Sequence, residues 1–200
     1  MGNEAVAEDV FEPDAKRLSQ AYAMLSDRSP QTIGALTELA ERGSVWSMLG
    51  LGYAYTDATL GTPDLAASEM WCRKAAEAGL VCAHYYLGRL YLMQSRYAEA
   101  KQEFEFAASK DYAPAIHYLG RIAYFGWGVP SDTVKGKALF EAASTRGNLV
   151  ARDMLARDMI RHGTWREKAK GHLSRFRFLY ELIRTACVEG ENGLLSDRFR

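Results

Sequence analysis

Four histidines, His84, His117, His162 and His172, and three cysteines, Cys72, Cys82 and Cys187, are the side chains of this 200-residue sequence best suited to hold a metal or act as nucleophiles. Zinc ligands on a helix need a spacing of three or four so that both reach one ion, as in HExxH; on loops they come as CxxC pairs. Neither pattern occurs. Cys82 and His84 are two apart, which on a helix puts them on different faces. Gly126-x-Gly128 lacks the third glycine, the lysine and the preceding strand of a phosphate-cradling loop. A Gly-x-Ser-x-Gly elbow is absent, and no Ser/His/Asp or paired-carboxylate constellation rises above chance. The expectation is therefore a protein that is not an enzyme, with no metal site and no cofactor. Arginines and tyrosines at helical spacing remain, and their chemistry is protein binding: large contact area combined with a polar handle.

Composition agrees with that class. Hydrophobic residues make up 48% and charged residues 25%, the balance of a folded protein, and 25 Lys+Arg offset 25 Asp+Glu, so no overall basic field selects nucleic acid or an anionic membrane. The charge is uneven: Glu4, Glu8, Asp9, Glu12 and Asp14 have no basic neighbour, whereas residues 161–200 hold nine Lys/Arg against five Asp/Glu. The acidic start lacks a basic-then-apolar leader, Val6 breaks the myristoylation motif opened by Gly2, and no apolar run is long enough to span a bilayer. Three cysteines without CxxC spacing suit a reducing compartment. We expect a cytoplasmic protein with no membrane insertion.

The elements that position these residues come from a repeat. Leu49-Gly50, Leu87-Gly88, Leu119-Gly120 and Leu155-Ala156 recur at spacings of 38, 32 and 36, and the first three are each followed by an Ala-Ala pair, at Ala75-Ala76, Ala107-Ala108 and Ala142-Ala143. Such a period marks an array of helix pairs, each unit burying its apolar face on the next. Leu, Gly and an aromatic three residues on (Tyr53, Tyr91) share one helix face, and a glycine that costs about 1 kcal/mol in a helix points to close helix approach. Ser29-Pro30, Thr62-Pro63 and Asp132 read as starts of second helices; Gly43, Gly79, Gly147 and, in the second block, Asp111 read as stops. Leu18, Ser19 and Tyr22 suggest a degenerate opening helix over 14–26. Leu173, Phe176, Tyr180, Ile183 and Cys187 step by three and four, the pattern of an amphipathic helix sealing the end of the array. The domain reading is an acidic arm at 1–13, a helical solenoid at 14–163, a capping helix at 164–189 and a frayed tail at 190–200.

The block Ala115-Ile116-His117-Tyr118-Leu119-Gly120, with Gly126-Trp127-Gly128-Val129-Pro130-Ser131-Asp132 and Phe140-Glu141-Ala142-Ala143, resembles the Sel-one-like repeat, a tetratricopeptide-type family. The resemblance covers about residues 14–185 and implies an all-α fold, an α-solenoid of antiparallel helix pairs. Ala123 departs from the usual Tyr, the second block lacks the glycine loop, and the first carries an enlarged loop from Thr56 to Thr62. A cysteine-rich branch has a disulfide in every repeat; Cys72 and Cys82 occur once and read instead as apolar thiols. The resemblance further implies a scaffold or adaptor for other proteins.

In repeats of this type the residues three before and one, four and five after the glycine line the concave side. That carry-over selects Ser47, Leu51, Ala54 and Tyr55; Tyr85, Arg89, Leu92 and Met93; His117, Arg121, Tyr124 and Phe125; Asp153, Arg157, Ile160 and Arg161. Tyr55, Tyr85, Arg89, His117, Arg121, Tyr124 and Arg157 are the partner-binding candidates, with core packing the competing role for Tyr55, Leu92, Met93 and Phe125. Arg89 and Arg121 share one repeat position, which places them about 10 Å apart as a clamp for a carboxylate on a partner peptide or helix. Self-association through the C-terminal helix, giving a homodimer, is the alternative; a hydrolase or cell-wall-binding activity like that of the cysteine-rich relatives is a third.

Overall fold

Small residues and left-handed stops set the spacing of the helices in this computed structural model, which describes residue 16, residues 18–20, 30–56 and 63–192, with side chains as far as residue 180. The acidic arm, most of the 14–26 helix, the caps Ser29 and Thr62, the side chain of Cys187 and the tail beyond 192 lie outside the described residues. From residue 30 onward the helices are α1 (Pro30–Glu41), α2 (Val45–Tyr55), α3 (Leu65–Glu77), α4 (Val81–Met93), α5 (Tyr97–Ser109), α6 (Ala113–Phe125), α7 (Thr133–Thr145), α8 (Leu149–His162) and α9 (Trp165–Asn192). Two compact units divide the chain, 4–112 and 113–200, and in each one every helix packs on the next.

The helix ends follow from residue type. Ser44, Asp64, Asp132 and Asn148 each accept a hydrogen bond from the backbone N–H three residues on, at 3.1, 2.9, 2.8 and 2.8 Å. Asp64 is thus the cap of α3, and Pro63 precedes the helix instead of occupying its first turn as the Thr62-Pro63 reading expected. At the other ends Gly43, Gly79, Gly147 and Asp111 take positive φ of 94, 95, 85 and 61°. The next N–H then reaches back to the carbonyls of Leu39, Ala75, Ala143 and Ala107 at 3.0–3.1 Å, satisfying an orphan acceptor in each helix.

The helix starts correct the register of the first block. α2, α4, α6 and α8 begin at residues 45, 81, 113 and 149, which are 36, 32 and 36 apart. Gly52, not Gly50, is therefore the equivalent of Gly88, Gly120 and Ala156. Packing agrees: a Cβ on Gly52 would collide with Cys72 Sγ, on Gly88 with the Phe104 ring at 2.7 Å, and on Gly120 with the Phe140 ring at 2.7 Å. Each repeat glycine makes room for one bulky or sulfur-bearing side chain of its second helix.

The last helix departs from expectation in the face it uses. Against α8 it presents Gly171, where a Cβ would lie 2.7 Å from the Ala156 carbonyl oxygen, and Arg175, whose Nε donates to Asp153 at 3.0 Å. Leu173, Phe176 and Tyr180, the stripe expected to seal the array, are 53%, 69% and 62% exposed on the opposite side.

Candidate functional site

Shifting the first block by two residues removes part of the expected binding row. Ser47, Leu51 and Ala54 are fully buried. Ser47 accepts a hydrogen bond from the Ser44 hydroxyl, and Leu51 and Ala54 join Leu36, Leu39 and Ala40 in the core of the first unit. Tyr55 packs partly against that same core.

The position three before the repeat residue faces the second helix, not a groove. Tyr85 lies 6.2 Å from the Phe104 ring and 5.5 Å from Tyr112. His117 stands 5.5 Å from Phe140 and is only 3% exposed, so it is a core histidine closed to a partner; this corrects its assignment to the binding set. Burial, helped by the Arg121 charge, pushes its pKa down to about 4, and its Nδ1 has no hydrogen-bond partner among the described residues. Asp153 is 7% exposed and accepts from Arg157 Nε at 2.5 Å as well as from Arg175. Arg157 is thereby committed to an intramolecular ion pair, although its side chain is 60% exposed.

Arg89 and Arg121 lie in different units, and each has its own aromatic support. The Arg89 guanidinium sits 5.7 and 5.8 Å from the rings of Tyr85 and Tyr86. Tyr86 also meets Tyr85 edge-on, and burial pushes its phenol well above the ordinary range. Arg121 is held more tightly, between Tyr118 at 5.0 Å and Trp127 at 4.8 Å. It forms no ion pair or hydrogen bond with the described residues, so the rings cover its faces while its N–H edges stay available. Trp127 stacks in turn on Phe125 at 5.6 Å, and Phe125 is 46% exposed.

Sequence reasoning missed Tyr118 and Trp127. Tyr118 lies three residues before Arg121, a spacing that puts both on one helix face. Trp127 depends on the turn after α6: Gly126 and Gly128 take φ of 73 and 69°, a left-handed geometry costly for other residues, and the chain doubles back with the Asp132 N–H bonded to the Ala123 carbonyl at 2.8 Å. The Gly-x-Gly element thus presents an indole to the arginine.

Tyr124 points to the next first helix, donating to Asp158 at 2.6 Å, while Lys137 pairs with the same carboxylate at 2.6 Å. That hydrogen bond raises the Tyr124 phenol; burial pushes Asp158 up, but the bonds from Lys137 and Tyr124 outweigh it and hold the carboxyl low. Cys72 is buried with its thiol pushed up to about 12 by desolvation, which makes it an unreactive packing residue. Cys72 and Cys82 are both free thiols. Among the described residues no group of three His, Cys, Asp or Glu side chains could hold a metal, and no helix is long and apolar enough to cross a membrane.

These features define an all-α fold of consecutively packed helices, with a ring-supported arginine on the surface of its second unit. Comparison with solved structures makes the fold more particular. A Sel1 repeat protein from Oxalobacter formigenes matches 80% of this chain and 72% of its own at a TM-score of 0.64 and 20% identity. A protective antigen of uropathogenic Escherichia coli strains displaying an SLR fold matches at 0.63 and 21%, covering 82% of this chain but only 38% of the antigen. The fold is that of the Sel1-like repeat proteins. No protein-family model matches the chain, and no curated protein does.

Proposed function

We propose that this chain is a non-catalytic scaffold or adaptor that binds a segment of another protein on the exposed face of its first helices, with Arg121 as the anchor. The observation that supports this most is the Arg121 guanidinium lying between Tyr118 and Trp127 beside exposed Phe125, without an acidic partner among the described residues. A guanidinium already fixed between rings has lost much of the rotamer freedom that binding would otherwise remove, and its planar fork suits a carboxylate through two parallel hydrogen bonds. Arginine with aromatic neighbours is also the composition of interface hot spots. The expected ligand is an acidic side chain or C-terminal carboxylate next to an apolar residue that covers Phe125. Arg89, supported by Tyr85 and Tyr86, is the second candidate anchor.

The test is selection of binders from a displayed library of C-terminal peptides, followed by calorimetric titration of the best synthetic peptide. Arg121→Ala should weaken binding by at least tenfold and Arg121→Lys should recover only part, with circular dichroism unchanged in both. Equal affinity for wild type and Arg121→Ala would remove the anchor and, if Arg89→Ala were also neutral, the arginine reading as a whole.

A further inference from the structure

Helix α9 carries two faces, and only one is used within the unit. Gly171 and Arg175 meet α8. On the other side Trp165, Leu173, Phe176 and Tyr180 are 75%, 53%, 69% and 62% exposed, a continuous apolar stripe ending in aromatic residues. Exposure of this many large apolar side chains on one helix marks a surface that meets something apolar.

The charges beside the stripe say what that is. Residues 165–180 contain Arg166, Lys168, Lys170, Arg175 and Arg177 against the single acid Glu167, so the neutrality of the whole chain conceals a basic first half of α9, whereas residues 181–192 hold Arg184 against Glu181, Glu189 and Glu191. Arg175 is engaged by Asp153, and Arg166 stacks on Trp165 at 5.3 Å. Lys170 and Arg177 are exposed and make no ion pair with the described side chains. Together with Arg152 of α8, Leu173 and Ser174 they line a shallow cleft of about 270 Å³. The exposed cations Lys170 and Arg177 thus stand directly beside Leu173 of the apolar stripe.

We propose that α9 is an interfacial helix that lies on an anionic lipid bilayer, its stripe at the level where headgroups meet acyl chains and its exposed Lys170 and Arg177 meeting a lipid phosphate. The stripe protrudes from the unit, so it suits a soft surface that yields around it. Tryptophan and tyrosine favour the headgroup boundary, and the long basic side chains on the flanks can extend outward to anionic headgroups. A second copy of the chain fits less well, because burying the 165–180 stripes of two copies on each other brings their like charges together along the seam. An acidic amphipathic helix of another protein is the competing occupant.

Sedimentation of the full chain with sucrose-loaded vesicles tests this, using phosphatidylcholine alone and phosphatidylcholine with one third phosphatidylglycerol. Binding should require the anionic lipid and weaken at high salt. Lys170→Gln with Arg177→Gln should lower partitioning on the order of 30-fold, about fivefold per cation. Phe176→Glu should reduce it to background, with Leu173→Gln as a second reading if that variant folds poorly, while Arg121→Ala should bind like wild type. Absence of binding to anionic vesicles, or equal binding to neutral ones, overturns the proposal. Full competition by millimolar inorganic phosphate reassigns Lys170 and Arg177 to a free anion. A dimer in sedimentation velocity that Phe176→Glu dissociates, or preferential capture of an acidic helical peptide over vesicles, moves the stripe to those occupants and refutes the lipid.

Discussion

Two glycines in helices, Gly120 and Gly34, should respond differently to one substitution. An alanine Cβ at Gly120 would stand 2.7 Å from both Cδ1 and Cε1 of Phe140 and 3.2 Å from the Gly136 carbonyl oxygen. Carbon atoms prefer separations of about 3.5–4.0 Å, so the ring must retreat by most of an ångström or the helices must part. Phe140 is 1% exposed and has little room to do either. At Gly34 in α1 nothing lies within 4 Å of the same atom. Both changes gain about 0.5–1 kcal/mol from replacing glycine in a helix. Subtracting one from the other cancels that gain and leaves the overpacking cost, about 1–3 kcal/mol. Urea unfolding with unchanged m-values is the assay. Gly34→Ala should raise the midpoint and Gly120→Ala should lower it or leave it flat, with Gly120→Val lower again. Equal shifts at the two sites would refute the idea that the repeat glycine exists to admit the phenylalanine.

Two further perturbations follow from buried polar groups. His117 refuses a proton until about pH 4, whereas an ordinary histidine takes one at 6.5, so the unfolded chain binds the proton first and stability falls as pH drops through that window. The loss amounts to about 3 kcal/mol at most, and above the window His117 contributes none. His117→Phe should make the urea midpoint less sensitive between pH 7 and pH 4.5 than wild type; identical sensitivity would show that His117 is not the group responsible. Asp153→Ala leaves Arg157 and Arg175 without their shared acceptor, and because those side chains are 60% and 48% exposed, water offsets much of the loss. We expect about 1–2 kcal/mol and earlier proteolytic release of α9, with partial rescue by Asp153→Asn; an unchanged cleavage rate would mean that Gly171 packing alone seats the helix.

Much of the fold was legible because solenoid repeats obey local rules. Left-handed stops require glycine or a tolerant residue such as Asp111, and Asp132 could be recognised as a cap from its place before an apolar run. The first block was misread by two residues because Leu49-Gly50 and Leu51-Gly52 match the motif equally well as text. What separates them is the partner: Gly52 faces Cys72, and Ser68 donates to its carbonyl at 2.7 Å. That information belongs to the second helix, where Cys72 takes the place of Phe104 and Phe140 in the later blocks and Ser68 that of Ala100 and Gly136. Had the start of α2 been taken from Ser44, a serine three residues before another serine that it caps, the spacing of 36 would have resolved the choice.

The site was less legible, and α9 shows why. Reading its sequence by hydrophobicity selects Leu173, Phe176 and Tyr180 as the contact face; reading it by size selects Gly171. The two criteria lead to opposite sides of one helix, and the packing against α8 follows size. The same criterion had already identified Gly88 and Gly120 as contact positions, because in this architecture helices approach closely enough that even a methyl obstructs. Applied consistently, it leaves the large apolar residues of α9 unexplained by the fold. That residue of unexplained surface, next to the exposed cations Lys170 and Arg177, is what connects the physics of packing to a binding role: the repeat rule says which face the fold consumes, and what it does not consume is where a ligand must be sought.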